Sequence, residues 1–140
     1  MAGWSGTRPT EFVRVVEKDL AKKRTQIATE AFQAVISGSP VDEGSFRMNN
    51  RVTINSEDHS FDASLGRGKA VEPPKGSTNV PAFESGLDII AGEADEPYAT
   101  VVIQNNAPYA GELERGTSKQ APEGVFGLAF AAVRAKHSNT

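Results

Sequence analysis

Apolar residues in the first quarter of the chain recur every three or four positions: Phe12, Val16, Leu20, Ile27, Ala31 and Val35, with Val15 and Ile36 widening the stripe. That period places them on one side of a helix, so the pattern predicts a long helix from Glu11 to Ile36 packed against a core. Arg24 alone interrupts the face. Pro9 and Thr10 suit the start, and Glu11 sits where the helix dipole favours an acid. Ser37-Gly38-Ser39-Pro40 reads as a stop, because Gly38 can turn left-handed and Pro40 has no amide hydrogen to continue the ladder.

The period then shortens to two. Val52 and Ile54 alternate with polar neighbours, which predicts a half-buried strand over Arg51 to Asn55, starting near Asn50, after a turn at Asp42 to Gly44. From Glu57 to Gly86 glycine and proline punctuate the chain too often for one continuous element, and the expectation is a strand near Ser60 to Ser64 followed by an extended arm. Leu87 to Ala91 and Ala99 to Gln104 read as two further strands, paired antiparallel across the acidic turn Gly92-Glu93-Ala94-Asp95-Glu96-Pro97. A short helix over Pro108 to Glu114 ends at Gly116. Val125, Leu128, Ala129, Ala132 and Val133 mark one face of a last helix, weakened by Gly127, with Arg134 and Lys136 at its end. The expected class is α+β, with the long helix on a small, mainly antiparallel sheet. All 140 residues then form a single domain with an arm at residues 57–86.

Composition narrows the classes. A chain of 140 residues suffices for one core, burying roughly 68% of its unfolded surface. A net charge of −3 with interspersed signs does not draw the chain to nucleic acid by counterion release. The absence of cysteine excludes disulfides, thiolate zinc sites and thiol nucleophiles. No basic-then-apolar leader is visible, and no segment approaches about 18 uninterrupted apolar residues. A soluble, unexported protein with no membrane contact is expected.

Candidate chemistry is sparse. Gly66-Arg67-Gly68-Lys69 resembles a phosphate loop only superficially, since no hydroxyl residue and no helix follow Lys69, and it reads as a basic loop tip. His59 and His137 stand apart and read as surface residues, His137 in a fraying end. Glu112 and Glu114 read as solvated helix residues, and Glu93, Asp95 and Glu96 as a turn, so no carboxylate pair with split environments stands out. No catalytic, cofactor-binding or metal-binding residue is assigned. The stretch from Asn105 to Thr117 is different, because each residue has a local job: strand end, first helical turn at Pro108, a Tyr109 and Leu113 face, and a Gly116 stop.

Two stretches carry a family resemblance. Ser39-Pro40-Val41-Asp42-Glu43-Gly44 after a long helix, and Ala107-Pro108-Tyr109-Ala110 followed by Glu114, Gly116 and Thr117, resemble the tail-completion and tail-terminator proteins of long-tailed bacteriophages, grouped with minor tail protein Z. Glu43 stands where that family has threonine, and Pro122-Glu123-Gly124-Val125-Phe126-Gly127 replaces its usual Pro-Phe-Leu-Arg-Pro-Ala. The resemblance covers roughly the N-terminal third and the last quarter of the chain.

What the resemblance implies is a structural virion protein of the neck, not an enzyme, assembling as a homo-oligomeric ring, a hexamer. It would cap the finished tail tube, meet a head-side connector or stopper protein, and let DNA pass through its lumen without sequence-specific binding. Its place would be the virion, and the host cytoplasm during assembly. Asp42, Gly44, Pro108, Tyr109, Glu114, Gly116 and Thr117 become candidate assembly residues, and residues 58–83 a candidate gripping arm. The alternatives are a head-side stopper or adaptor ring, a small enzyme with a polar pocket, or a nucleic-acid-binding module with a basic aromatic face.

Overall fold

A single helix of 30 residues, α1 (Pro9–Gly38), opens the fold and is about 45 Å long at the standard rise. The computed structural model describes residues 9–41, 45–65, 74–78, 80–93, 95–116 and 118–138. After α1 come α2 (Ser45–Met48), β1 (Asn50–Ile54), α3 (Pro81–Gly92), β2 (Val101–Asn105), α4 (Ala110–Glu114) and α5 (Phe126–His137). The architecture is α+β as expected. β1 and β2 form a two-stranded antiparallel sheet in the register Asn50↔Asn105 to Ile54↔Val101. Two strands are at best marginal alone in water, so this ribbon depends on the helices packed around it.

The packing uses two sides of α1. Ala28, Phe32 and Ile36 meet Val52, Val80 and Ile90 in one cluster; Val35 meets Phe46, Ala107, Ala121, Val125 and Ala129 in a second. Ile103 of β2 touches both. α5 lies along the C-terminal part of α1, with Val125 near Gly38 and His137 at Glu30.

Several expectations from the pattern are corrected. Residues 87–91 are not a strand but the second half of α3, and β2 pairs with β1 instead. The β-branched Ile89-Ile90 pair suggested a strand; the deciding spacing is Phe83, Gly86 and Ile90, a helical one. Gly86 lies where a Cβ would come within 2.1 Å of the Phe32 ring, so glycine there lets α3 close on α1. Phe83 completes the joint, stacked on Phe32 with centroids 5.7 Å apart.

No strand forms at Ser60 to Ser64 either, and that stretch does not project as an arm. Side chains tie it to the body: Asn49 Oδ1 accepts from the Asp62 amide at 2.9 Å, and Asn106 Nδ2 donates to the Ser60 carbonyl at 3.0 Å. The arm's end, residues 81–86, is helix, and its Gly66 to Lys69 portion lies outside the described residues.

On α1, Val16 and Leu20 belong to the predicted core stripe yet are exposed, as is Val15, whereas Ala21 is 2% exposed: the body lies against the side of the helix that carries Ala21, Ala28 and Phe32, rotated from the predicted stripe. Arg24, the odd residue on that face, donates to the backbone carbonyls of Glu93 and Glu96 and so ties the acidic turn to the helix. Leu128 and Ala132 on α5 are also exposed, because Val125 and Ala129 alone face the second cluster deeply. His137 is not in a frayed end. It closes α5, its side chain is 8% exposed, and its Nε2 lies 2.5 Å from Glu30 Oε2. His59 does lie on the surface, beside Glu57 at 2.9 Å. Among the described residues no helix is long and apolar enough to cross a membrane.

Candidate functional site

The corner between β2 and α5 begins with two asparagines that divide the work. Asn105 points inward: its Nδ2 donates to the Phe46 carbonyl at 2.7 Å and to Asn50 Oδ1 at 3.1 Å, while its Oδ1 accepts from the Ala107 amide at 3.0 Å. That last bond is a side-chain turn of the kind asparagine favours. Asn106 points toward the 58–60 loop and donates to the Asp58 and Ser60 carbonyls.

Asn50, 4% exposed, carries the chain of bonds onward. Its Nδ2 donates to Ser39 Oγ at 3.1 Å and to the Arg47 carbonyl at 3.0 Å. Ser39 is fully buried and its hydroxyl donates to the Val35 carbonyl at 2.7 Å, which satisfies the end of α1. Ser39, Asn50, Asn105 and Ala107 thus form one continuous polar path, buried at Ser39 and Asn50 and half-buried at Asn105, from the first sequence motif to the second. The Val41 amide adds a parallel tie, donating to Gln120 Oε1 at 2.7 Å.

Past the asparagines, Pro108 is exposed and Tyr109 wedges between Phe46 and Phe61, both at 6.4 Å between ring centroids. Glu114 is not a solvated helix residue. Its Oε1 accepts from the Val125 and Phe126 amides and its Oε2 from the Gly127 amide, capping the start of α5 across a loop. Burial pushes this carboxyl up, and the three amide hydrogen bonds override it and hold it below its ordinary range. A carboxylate at the positive end of α5 also complements the helix dipole.

Two glycines make room for this clamp. Gly116 has φ +88° and a Cβ there would fall 2.2 Å from the Pro122 carbonyl oxygen; Gly124 has φ +87° and its Cβ would fall 2.6 Å from the Glu114 carbonyl oxygen. The left-handed stop expected at Gly116 is therefore present, and the loop from 116 to 124 folds back on α4.

Of the candidate assembly residues, Pro108, Tyr109, Glu114 and Gly116 lie together in this corner. Asp42, Gly44 and Thr117 lie outside the described residues. Sequence inspection missed Asn49, Asn50, Gln120 and Gly124. A signal was present: the chain has two Asn-Asn pairs, at 49–50 and 105–106, and they flank facing ends of β1 and β2.

Comparison with family models, with curated proteins and with solved structures finds no match for this chain. Among the described residues no group of three or more His, Asp or Glu side chains is placed to hold a metal ion.

Proposed function

We propose that this chain is a structural subunit of the neck of a long-tailed bacteriophage, forming a hexameric ring that terminates the tail tube and joins it to the head. The observation that carries the reading is the union of the two motif stretches. Ser39 to Val41 and Asn105 to Gly116, far apart in sequence, meet through Asn50, with Val41 also tied to Gln120 in the loop that follows, and the charged member Glu114 is occupied by backbone amides at the start of α5. Residues so engaged set the angles between α1, the ribbon and α5. A ring subunit needs such fixed angles, because head-to-tail contacts close only at one rotation.

The partners on this reading are further copies of the chain, the tail tube protein on one side and a head-side connector or stopper on the other. DNA passes through the lumen without base recognition. The test is electron microscopy of particles from a producing strain lacking this gene. Unattached tails of abnormal length beside filled heads are the expected outcome; normal infectious particles overturn the neck assignment.

A further inference from the structure

The two long edges of the ribbon differ. α3 lies along β1, whereas among the described elements only β1 lies along β2, and every residue of β2 is half-buried. The Asn55 amide donates to the Thr100 carbonyl at 2.8 Å, so the Val101 amide of that same planar peptide unit points away from β1. Strand alternation then turns the amides and carbonyls of Val101, Ile103 and Asn105 outward together. None of these groups has a hydrogen-bond partner among the described residues. A row of backbone groups of this kind is a template for another strand.

Native proteins blunt such edges with proline, lysine or other charged side chains. β2, Val101-Val102-Ile103-Gln104-Asn105, has none of these. Its first three residues are β-branched, the type that a pleated pair favours. Because it carries no charge, the strand can lie against its own copy without opposing like charges. The outward residues are also centred on Ile103. A copy turned about a two-fold axis at Ile103 sets Ile103 against Ile103 and Val101 against Asn105, and each outward amide then meets an outward carbonyl. Val101 and Ile103 pack into the core, so Val102 and Gln104 share the opposite face, where they fall against each other across the pair.

We propose that the free edge of β2 pairs antiparallel with β2 of a second copy of this chain, joining two two-stranded ribbons into one four-stranded sheet. Each ribbon alone is marginal, and the joined sheet is not. The contact is two-fold and closed, so it does not itself build a ring. It goes beyond the ring reading and does not rest on it; on that reading it describes the free chain before assembly.

Sedimentation of the full-length chain over a wide range of concentration reads the pairing, and amide hydrogen exchange at the two ends of that range locates it. The expected result is a monomer–dimer equilibrium in which the Val101, Ile103 and Asn105 amides gain protection as dimer forms. The Val102 and Gln104 amides, bonded to β1, are protected throughout. Val101→Pro removes an outward donor at the first residue of the strand and leaves the bonds to β1 in place, and it is expected to raise the dimer dissociation constant at least about tenfold. Val102→Lys keeps every backbone donor, charges the edge and should raise the constant severalfold. Both variants are checked for wild-type far-ultraviolet circular dichroism. A chain that stays monomeric up to about millimolar concentration, where weak specific pairs form, overturns the proposal. So does a dimer in which the alternate β2 amides exchange as fast as in the monomer, or one that the two folded variants form as tightly as wild type.

Discussion

The hub around Asn50 and the outer helices break the usual pattern in opposite directions. In the hub, Ser39 and Asn49 are fully buried and Asn50 nearly so, and their polar atoms find protein partners. On α1 and α5, Val13, Leu20, Leu128 and Phe130 are about half exposed or more. A buried amide with its hydrogen bonds made costs little and fixes geometry, because the partners are directional. An exposed aliphatic stripe costs little in a single copy but gains free energy whenever something covers it. The difference teaches that the chain fixes its internal angles with hydrogen bonds and keeps its apolar surplus for the outside.

The comparison can be broken from the hub side first. Gly116→Val forces a β-branched residue into φ +88° with its Cβ 2.2 Å from the Pro122 oxygen. A loss of about 3 kcal/mol or more is expected from left-handed strain plus overpacking, read as a fall in thermal midpoint of roughly 10 °C. An unchanged midpoint would mean the 116–124 loop is free to rearrange.

Asn50→Ala comes next. It removes the donor to Ser39 Oγ and the Arg47 carbonyl and the acceptor for Asn105. Leaving these groups buried without partners should cost about 2–3 kcal/mol in urea unfolding. Glu114→Gln keeps the shape but loses the charge that three α5 amides share, and about 1–2 kcal/mol is expected from weaker charge-assisted capping. Exchange of the Phe126 and Gly127 amides with solvent should rise before any global change does.

A smaller effect sharpens the docking of α5. Hydrogen bonds from Lys136 and His137 lower the Glu30 carboxyl from its ordinary 4.5 to about 2. A carboxyl depressed in the folded state contributes stability that is present above 4.5 and is lost as pH falls from there toward 2. Glu30→Gln removes this dependence, so wild type should lose stability more steeply than the variant across that window. Asp58, Asp62 and Glu114, also depressed, titrate in both proteins and cancel in the difference.

The smallest effect belongs to the outer surface. Val16→Asp on the exposed side of α1 should change stability in urea unfolding by less than about 0.5 kcal/mol. A large stability loss from this variant would mean that the Val16 side of α1 is covered within its own chain, and the contrast between hub and surface would fail.

Much of the architecture was legible in the residues themselves. The helical period from Phe12 to Val35 set α1 within about two residues at each end. The alternation at Val52 and Ile54 set β1, and Gly116 marked its left-handed stop. Local chemistry decides such features, so local inspection finds them. Which partner β2 takes, and that Leu87 to Ala91 is helix, were decided by tertiary structure. The Ile89-Ile90 pair suits either element, and only the fit of Gly86 against Phe32 selects one.

The same division holds at the corner. The sequence by itself determined that Asn105 to Thr117 is a strand end, a short helix and a stop, and named Glu114 and Gly116 as candidates. It did not determine that Glu114 caps a helix eleven residues on, that Gly124 must clear that carboxylate, or that Asn50 and Asn105 join two distant motifs. Nor did the stripe on α1 reveal which side the body meets: Leu20 is exposed and Ala21 beside it is buried, because the covered side is rotated from the one that the apolar period marks. Periodicity is a property of neighbours along the chain; capping across a loop, close approach and exposure are properties of what folding brings alongside them.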